Sequence, residues 1–342
     1  MSSPRTASAS GPKATVFQKA VLLGMVFIAL MIPPVLLLML GIEGLTSLCV
    51  YGGVIALVAA FYDLRLSAAL SAVAGVSALV AVLAHPYPLA GALVMSLVAG
   101  GAALTARRGL HSPVLVVPLA ISITVTSPPA ITGVAAGPAT AIVAGVAMTA
   151  CGLWVTAAAR LVLGERRPRF PTRPHSRGVT VAYAAVMAVI VGAATWGVLA
   201  LGPVDHGGWL LVTLVIVLQP STADTIRKTL QRLGGTAAGL VLALAVSLLD
   251  LPPALHLAIS ALLLYASLAS RFVLRLPYWV YVTALTPAII LVNTQAASAL
   301  DLVTERLEFT ALGGAIAIAV AFAAKVIVVE LGRRQAPSPL AP

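Results

Sequence analysis

The chain has 342 residues, 60% hydrophobic and 9% charged, with a net charge of +11 and a mean hydropathy of +1.06. Soluble domains carry roughly 25% charged residues, so this composition excludes a soluble globular protein and describes an all-α polytopic membrane protein. A pI near 10.4 would turn a soluble protein toward nucleic acid, but here the basic residues stand at the ends of apolar runs, where they set topology. A nucleic-acid partner is therefore not expected. Cys49 and Cys151 lie inside apolar runs without CxxC spacing, and the five histidines form no HExxH or HxxxH pair, so no metal and no other cofactor is expected. No P-loop, paired carboxylates or nucleophile–base pair appears, which argues against an ATP-driven machine and against an enzyme.

About 20 apolar residues cross the hydrocarbon core as a helix, because backbone groups in lipid must be satisfied internally. Twelve such runs follow one another: 16–40, 44–62, 66–84, 89–106, 113–129, 136–161, 179–201, 208–220, 233–249, 254–270, 276–293 and 307–330. The first is longer than a signal-peptide core and has no small-residue cleavage site behind it, so it reads as a retained transmembrane helix. With both termini cytoplasmic, Arg65, Arg107, Arg108, the loop 164–178, Arg227, Lys228, Arg232, Arg271, Arg275, Arg333 and Arg334 fall on the inside. Arg306, in the connection 294–306, is the one basic residue outside. The expected organisation is a first six-helix half (1–163), an Arg/Pro-rich cytoplasmic linker (164–178), a second six-helix half (179–332) and a cytoplasmic tail (333–342).

The halves share a pattern. At an offset of 164, Pro88 falls on Pro252, Ser96 on Ser260, Arg107 on Arg271, Pro113 on Pro277 and Gly75 on Gly239. At 165, Arg160 falls on Lys325; at 155, Gly52-Gly53 falls on Gly207-Gly208. Six helices per half is an even number, so the repeats run parallel, as in several secondary transporters whose substrate sites lie between repeats at broken helices.

The stretch 207–239 carries the chemistry. An apolar run breaks at Gln219-Pro220, passes through Asp224, Arg227, Lys228 and Arg232, and re-enters apolar sequence at Gly234-Gly235-Thr236. Read as a helix from 221, it puts Ser221, Thr225, Lys228/Thr229, Arg232 and Thr236 on one face, with Gly235 and Gly239 as a GxxxG stripe for close packing. Arg232, Thr236, Arg227, Gln219 and Thr225 are candidates for a substrate or gate site; Gly235, Gly239 and Pro220 are candidates for packing and for the break. The alternative is that the basic residues only obey the positive-inside rule, with Asp224 paired to Lys228. Thr283 and Thr286 in the eleventh run, and Thr124 and Thr126 in the fifth, are candidate path-lining residues. Trp209 reads as an interfacial belt residue. Glu308 starts the twelfth run.

Trp209, Thr213, Gln219-Pro220 and the element Arg232-Leu233-Gly234-Gly235-Thr236-Ala237-Ala238-Gly239 resemble the signature of the fusaric acid resistance protein-like (FUSC) family. The resemblance covers about 207–290; the first half matches in topology, with Ala68 and Ala72 where Arg232 and Thr236 would have counterparts. It implies an aromatic acid exporter type of transporter in a bacterial inner membrane, moving small aromatic or amphiphilic carboxylic acids outward with protons as coupling ion. Family relations also leave room for a passive anion channel akin to plant malate channels, and a non-transport membrane scaffold is a third alternative. The large cytosolic domain common between the halves in this family is replaced by the short linker.

Overall fold

A computed structural model describes residues 15–131, 137–164, 172–201, 207–249, 251–293 and 299–335, and among these the regular structure is helical throughout. The helices are α1 (Val16–Met39), α2 (Thr46–Ala60), α3 (Leu64–Ala84), α4 (Pro88–Leu104), α5 (His111–Thr126, interrupted at Leu115), α6 (Pro138–Leu163), α7 (Arg177–Ala200), α8 (Gly208–Val217), α9 (Thr222–Ser247), α10 (Pro253–Phe272), α11 (Tyr278–Asn293) and α12 (Ala299–Gln335). Among the described residues nine helices are long and apolar enough to cross a membrane, while α5, α8 and α11 are shorter. This is the all-α polytopic architecture expected from composition.

Local chemistry sets the helix starts. Thr15 and Gln18 form a reciprocal capping box on α1, the Asp63 carboxylate accepts the Arg65 N–H at 2.6 Å, and Ser176 and Ser221 cap α7 and α9. Helices α4, α6 and α10 instead open on a proline in the first turn, whose missing N–H costs nothing there.

Two boundaries differ from expectation for a physical reason. Helix α9 begins at Thr222 rather than 233, and α12 at Ala299 rather than 307. Polar residues of good helix propensity extend both helices past their apolar runs, which hydropathy alone does not register. Arg306 and Glu308 are consequently helical rather than at a loop edge. Helix α8 ends early, at Val217.

Small residues set the seams. In lipid, helices associate by close van der Waals contact rather than by the hydrophobic effect. A methyl at Gly52 would collide with the Met148 carbonyl between α2 and α6, and one at Gly75 would meet Thr149 and the Gly145 carbonyl between α3 and α6. Gly100 lies against Ala188, and Gly192 against Ser96, where α4 runs along α7. Helix α3 lies along α6 as α9 lies along α12, and α4 packs on α5 as α10 does on α11. Across the middle, α4 packs tightly on α7 and α5 on α8. On the other side α1 and α10 meet lightly, through Tyr265, whose hydroxyl donates to the Ala20 carbonyl at 2.9 Å and whose ring meets Phe27 edge-on.

Several turns gather at one end of the bundle, which we call the basic end. There Phe61 stacks on Phe272 with centroids 4.8 Å apart, and the His175 N–H donates to the Ala106 carbonyl at 3.0 Å. The expected linker is thus tied down at its described part; 165–171 lies outside the described residues.

Gly52→Leu is expected to lose the folded, monodisperse species on detergent size exclusion, since overpacking a tight seam costs at least about 1–3 kcal/mol. Gly101→Leu, at a glycine with open space around its Cβ position, should elute and melt like the wild type.

Candidate functional site

The site begins with a helix that stops halfway. Ten residues of α8 span about 15 Å, roughly half of the hydrocarbon core. Leu218 leaves the helix in an extended conformation (φ −64°, ψ 123°), two residues ahead of Pro220, which has no N–H to continue the ladder. The freed groups find partners nearby. The Gln219 N–H donates to Thr225 Oγ1 at 3.0 Å, and Gln219 Nε2 donates to the carbonyls of Ile216 (3.0 Å) and Leu218 (2.7 Å). Tyr183 Oη on α7 donates to the Leu218 carbonyl at 3.1 Å. Gln219 and Thr225 are therefore committed to the break itself.

Helix α9 then starts under the Ser221 cap. Asp224 pairs with Arg227 at 3.2 Å rather than with Lys228, and this pair is largely exposed. Lys228 lies 5.5 Å from the centroid of the Tyr278 ring, which stacks on Tyr281. The buried stripe runs through Thr225, Thr229, Arg232, Gly235, Thr236 and Gly239. Gly235 lies against the Trp279 carbonyl and Val282, and Gly239 against Thr286, the Thr283 carbonyl and Pro287, so the α9–α11 seam uses both glycines. Arg232 is 2% exposed; its Nη1 donates to Tyr278 Oη at 3.3 Å, and its Nε has no hydrogen-bond partner among the described residues. The Thr236 hydroxyl, also buried, has none either.

A second arginine lies inside the bundle. Arg306 on α12 is 3% exposed, and its guanidinium carbon lies 3.7 Å from the centre of the Trp209 indole. Its Nε and Nη1 are buried without hydrogen-bond partners among the described residues. Tyr51 on α2, Tyr278 on α11 and Arg232 are within electrostatic reach of it. Trp209, at the start of α8, is half-buried beneath this guanidinium instead of standing free in an interfacial belt. Charge counting treated Arg306 as a flank. The signal that would have found it is register: Thr310 and Gly313 follow at four and seven residues on the same face, both turned inward. Glu308 lies on the exposed face of α12.

The four candidate path-lining threonines are not brought together. Thr124 and Thr126 donate to the carbonyls of Ala120 and Ser122 within α5, and Thr126 packs against Gly208 of α8. Thr283 donates to the Trp279 carbonyl, while Thr286 is buried at the α9 seam with its hydroxyl unpartnered.

Broken helix, glycine seams and buried guanidiniums without a carboxylate partner among the described residues define a polytopic helical membrane protein with a cationic interior. Residues 193–320 match the model of the family described as fusaric acid resistance protein-like. The match runs from within α7 into α12 and so contains Trp209, Arg232 and Arg306. The match supports a membrane protein of transporter type. No curated protein and no solved structure matches the chain.

Thr225→Val removes the acceptor for the Gln219 N–H and is expected to lower stability by about 1–3 kcal/mol, read as a lower melting temperature in scanning fluorimetry. Arg227→Ala, at the exposed pair, should change stability by less than about 1 kcal/mol.

Proposed function

We propose that the protein is a secondary transporter of a bacterial inner membrane, with cytoplasmic termini, that exports small aromatic or amphiphilic carboxylic acids against entry of protons. The observation that carries this reading is Arg232. It is 2% exposed, has an unspent Nε, and sits beside the Gly235/Gly239 seam with Tyr278 as its one hydrogen-bond partner among the described residues. A charge held away from water without a counter-ion favours an organic anion that supplies one, and the planar guanidinium suits a carboxylate.

In this proposal the basic end faces the cytoplasm and collects anions. Asp224–Arg227 and the capped start of α9 form the mouth, and Gln219, Pro220 and Thr225 shape it by holding the break. Arg232 takes the carboxylate, with Thr236 one turn deeper. The two six-helix halves, as parallel repeats, move against each other to alternate access. The seams at Gly52, Gly75, Gly235 and Gly239 lie within the halves and keep each of them rigid, and the α4–α7 seam at Gly100 and Gly192 is the contact about which they move.

Everted membrane vesicles loaded with the protein should accumulate benzoate when an inward-acid gradient is imposed, and the accumulation should collapse with a protonophore. Arg232→Ala is expected to cut the rate at least about tenfold, corresponding to a lost interaction of roughly 1.4 kcal/mol or more in the transport step, at matched protein level. Undiminished uptake by Arg232→Ala would remove its assigned role. Flux that follows the benzoate gradient and ignores pH would identify a passive anion pore.

A further inference from the structure

We infer that Arg306, seated on the indole of Trp209, is a second binding station for the transported anion, built for the carboxylate of a planar aromatic acid. This rests on the transport reading but concerns a different helix and different residues from those that carry it.

Three observations converge. First, Arg306 is 3% exposed, yet its Nε and Nη1 have no hydrogen-bond partner among the described residues. A buried donor left unsatisfied is costly, and more so on a charged group, so a polar occupant is called for. Second, Trp209 covers one face of the guanidinium at 3.7 Å. That contact holds the plane in place and is favourable in itself. It leaves the rim of N–H donors, which lies in the guanidinium plane, where a carboxylate binds. An indole beside that rim offers an apolar face to an aromatic ring carried by the same molecule. Third, Arg306 feels the positive charge of a second buried arginine. Arg232 repels it electrostatically, and Tyr51 on α2 and Tyr278 on α11 are also within reach. An anion at Arg306 relieves the repulsion between the two arginines as well as satisfying the donors.

The placement gives the station a direction. Helix α9 enters from the basic end and carries Arg232 about ten residues in; α12 starts at the opposite end and carries Arg306 within its second turn beyond Ala299. The two guanidiniums are therefore approached from opposite ends of the bundle. Tyr51 lies on a helix of the first six, so the station is completed across the two groups of helices.

The test uses the full-length protein in nanodiscs of zwitterionic lipid, titrated with benzoate by calorimetry and by tryptophan fluorescence, with sodium chloride and benzyl alcohol as parallel titrants. Wild type is expected to bind benzoate well above either control. Arg306→Lys keeps the charge but loses the planar rim, and should weaken benzoate at least about tenfold, or 1.4 kcal/mol, while eluting and melting like the wild type. Arg306→Gln should remove this component of binding and leave only the component that Arg232→Ala removes, and Trp209→Phe should remove the fluorescence response while leaving weaker calorimetric binding. Benzoate affinity unchanged in Arg306→Lys and Arg306→Gln overturns the station and leaves the transport reading standing. Chloride binding as tightly as benzoate, or no benzoate binding by the wild type, also overturns it. Arg306-dependent binding in a protein whose vesicles show no benzoate flux supports the station and removes the transport reading instead.

Discussion

A helix of ten residues cannot cross a bilayer, and the rest of the second half is arranged around that fact. Where α8 stops at Leu218, backbone groups are released among buried residues and must be satisfied by protein. Tyr183 reaches over from α7, Thr225 reaches back from α9, and Gln219 folds its amide onto the preceding carbonyls. Meeting this demand draws α7, α8 and α9 together and buries α8 along nearly its whole length. It also fixes where α9 starts, and so how deep Arg232 lies. At the other end of α8 the same short helix presents Trp209 to Arg306.

Charge inside a membrane bundle is costly and persists where something offsets it. Arg306 gains from stacking on an aromatic face, and Arg232 from one hydrogen bond to Tyr278, but neither compensation uses all the donors. The scaffold around them is built for rigidity, through glycine and alanine contacts that bring backbones close. Strong seams and incompletely satisfied charges thus coexist within a few turns of each other. Local rules are broken in this way at sites kept for binding.

Most of the architecture was legible from hydropathy, because a membrane helix must be both long and apolar. The order of twelve helices, the break at Pro220 and the close approach at Gly235 and Gly239 all followed from residues that permit few alternatives. What was hidden depended on tertiary placement. Asp224 has acceptable partners at both three and four residues, and the side chains chose Arg227. The threonines of α5 and α11 carry hydroxyls that satisfy themselves on their own helix as readily as they line a path. Arg306 was hidden because an arginine at the edge of an apolar run has a ready topological explanation. Only its seat against Trp209 distinguishes it from a charge that marks a membrane boundary.

The cationic interior is one-sided. Under the offsets that relate the halves, Ala68 stands opposite Arg232, Ala141 opposite Arg306 and Val54 opposite Trp209. Two identical subunits each bearing both arginines would bring four guanidiniums into one assembly, each pair repelling the other across a medium that screens poorly. Joining the halves in a single chain lets one of them keep the charges while the other supplies neutral small side chains. A single chain is in this sense an electrostatic device: its first and second stretches are free to differ, and a load that a homodimer would carry twice is carried once.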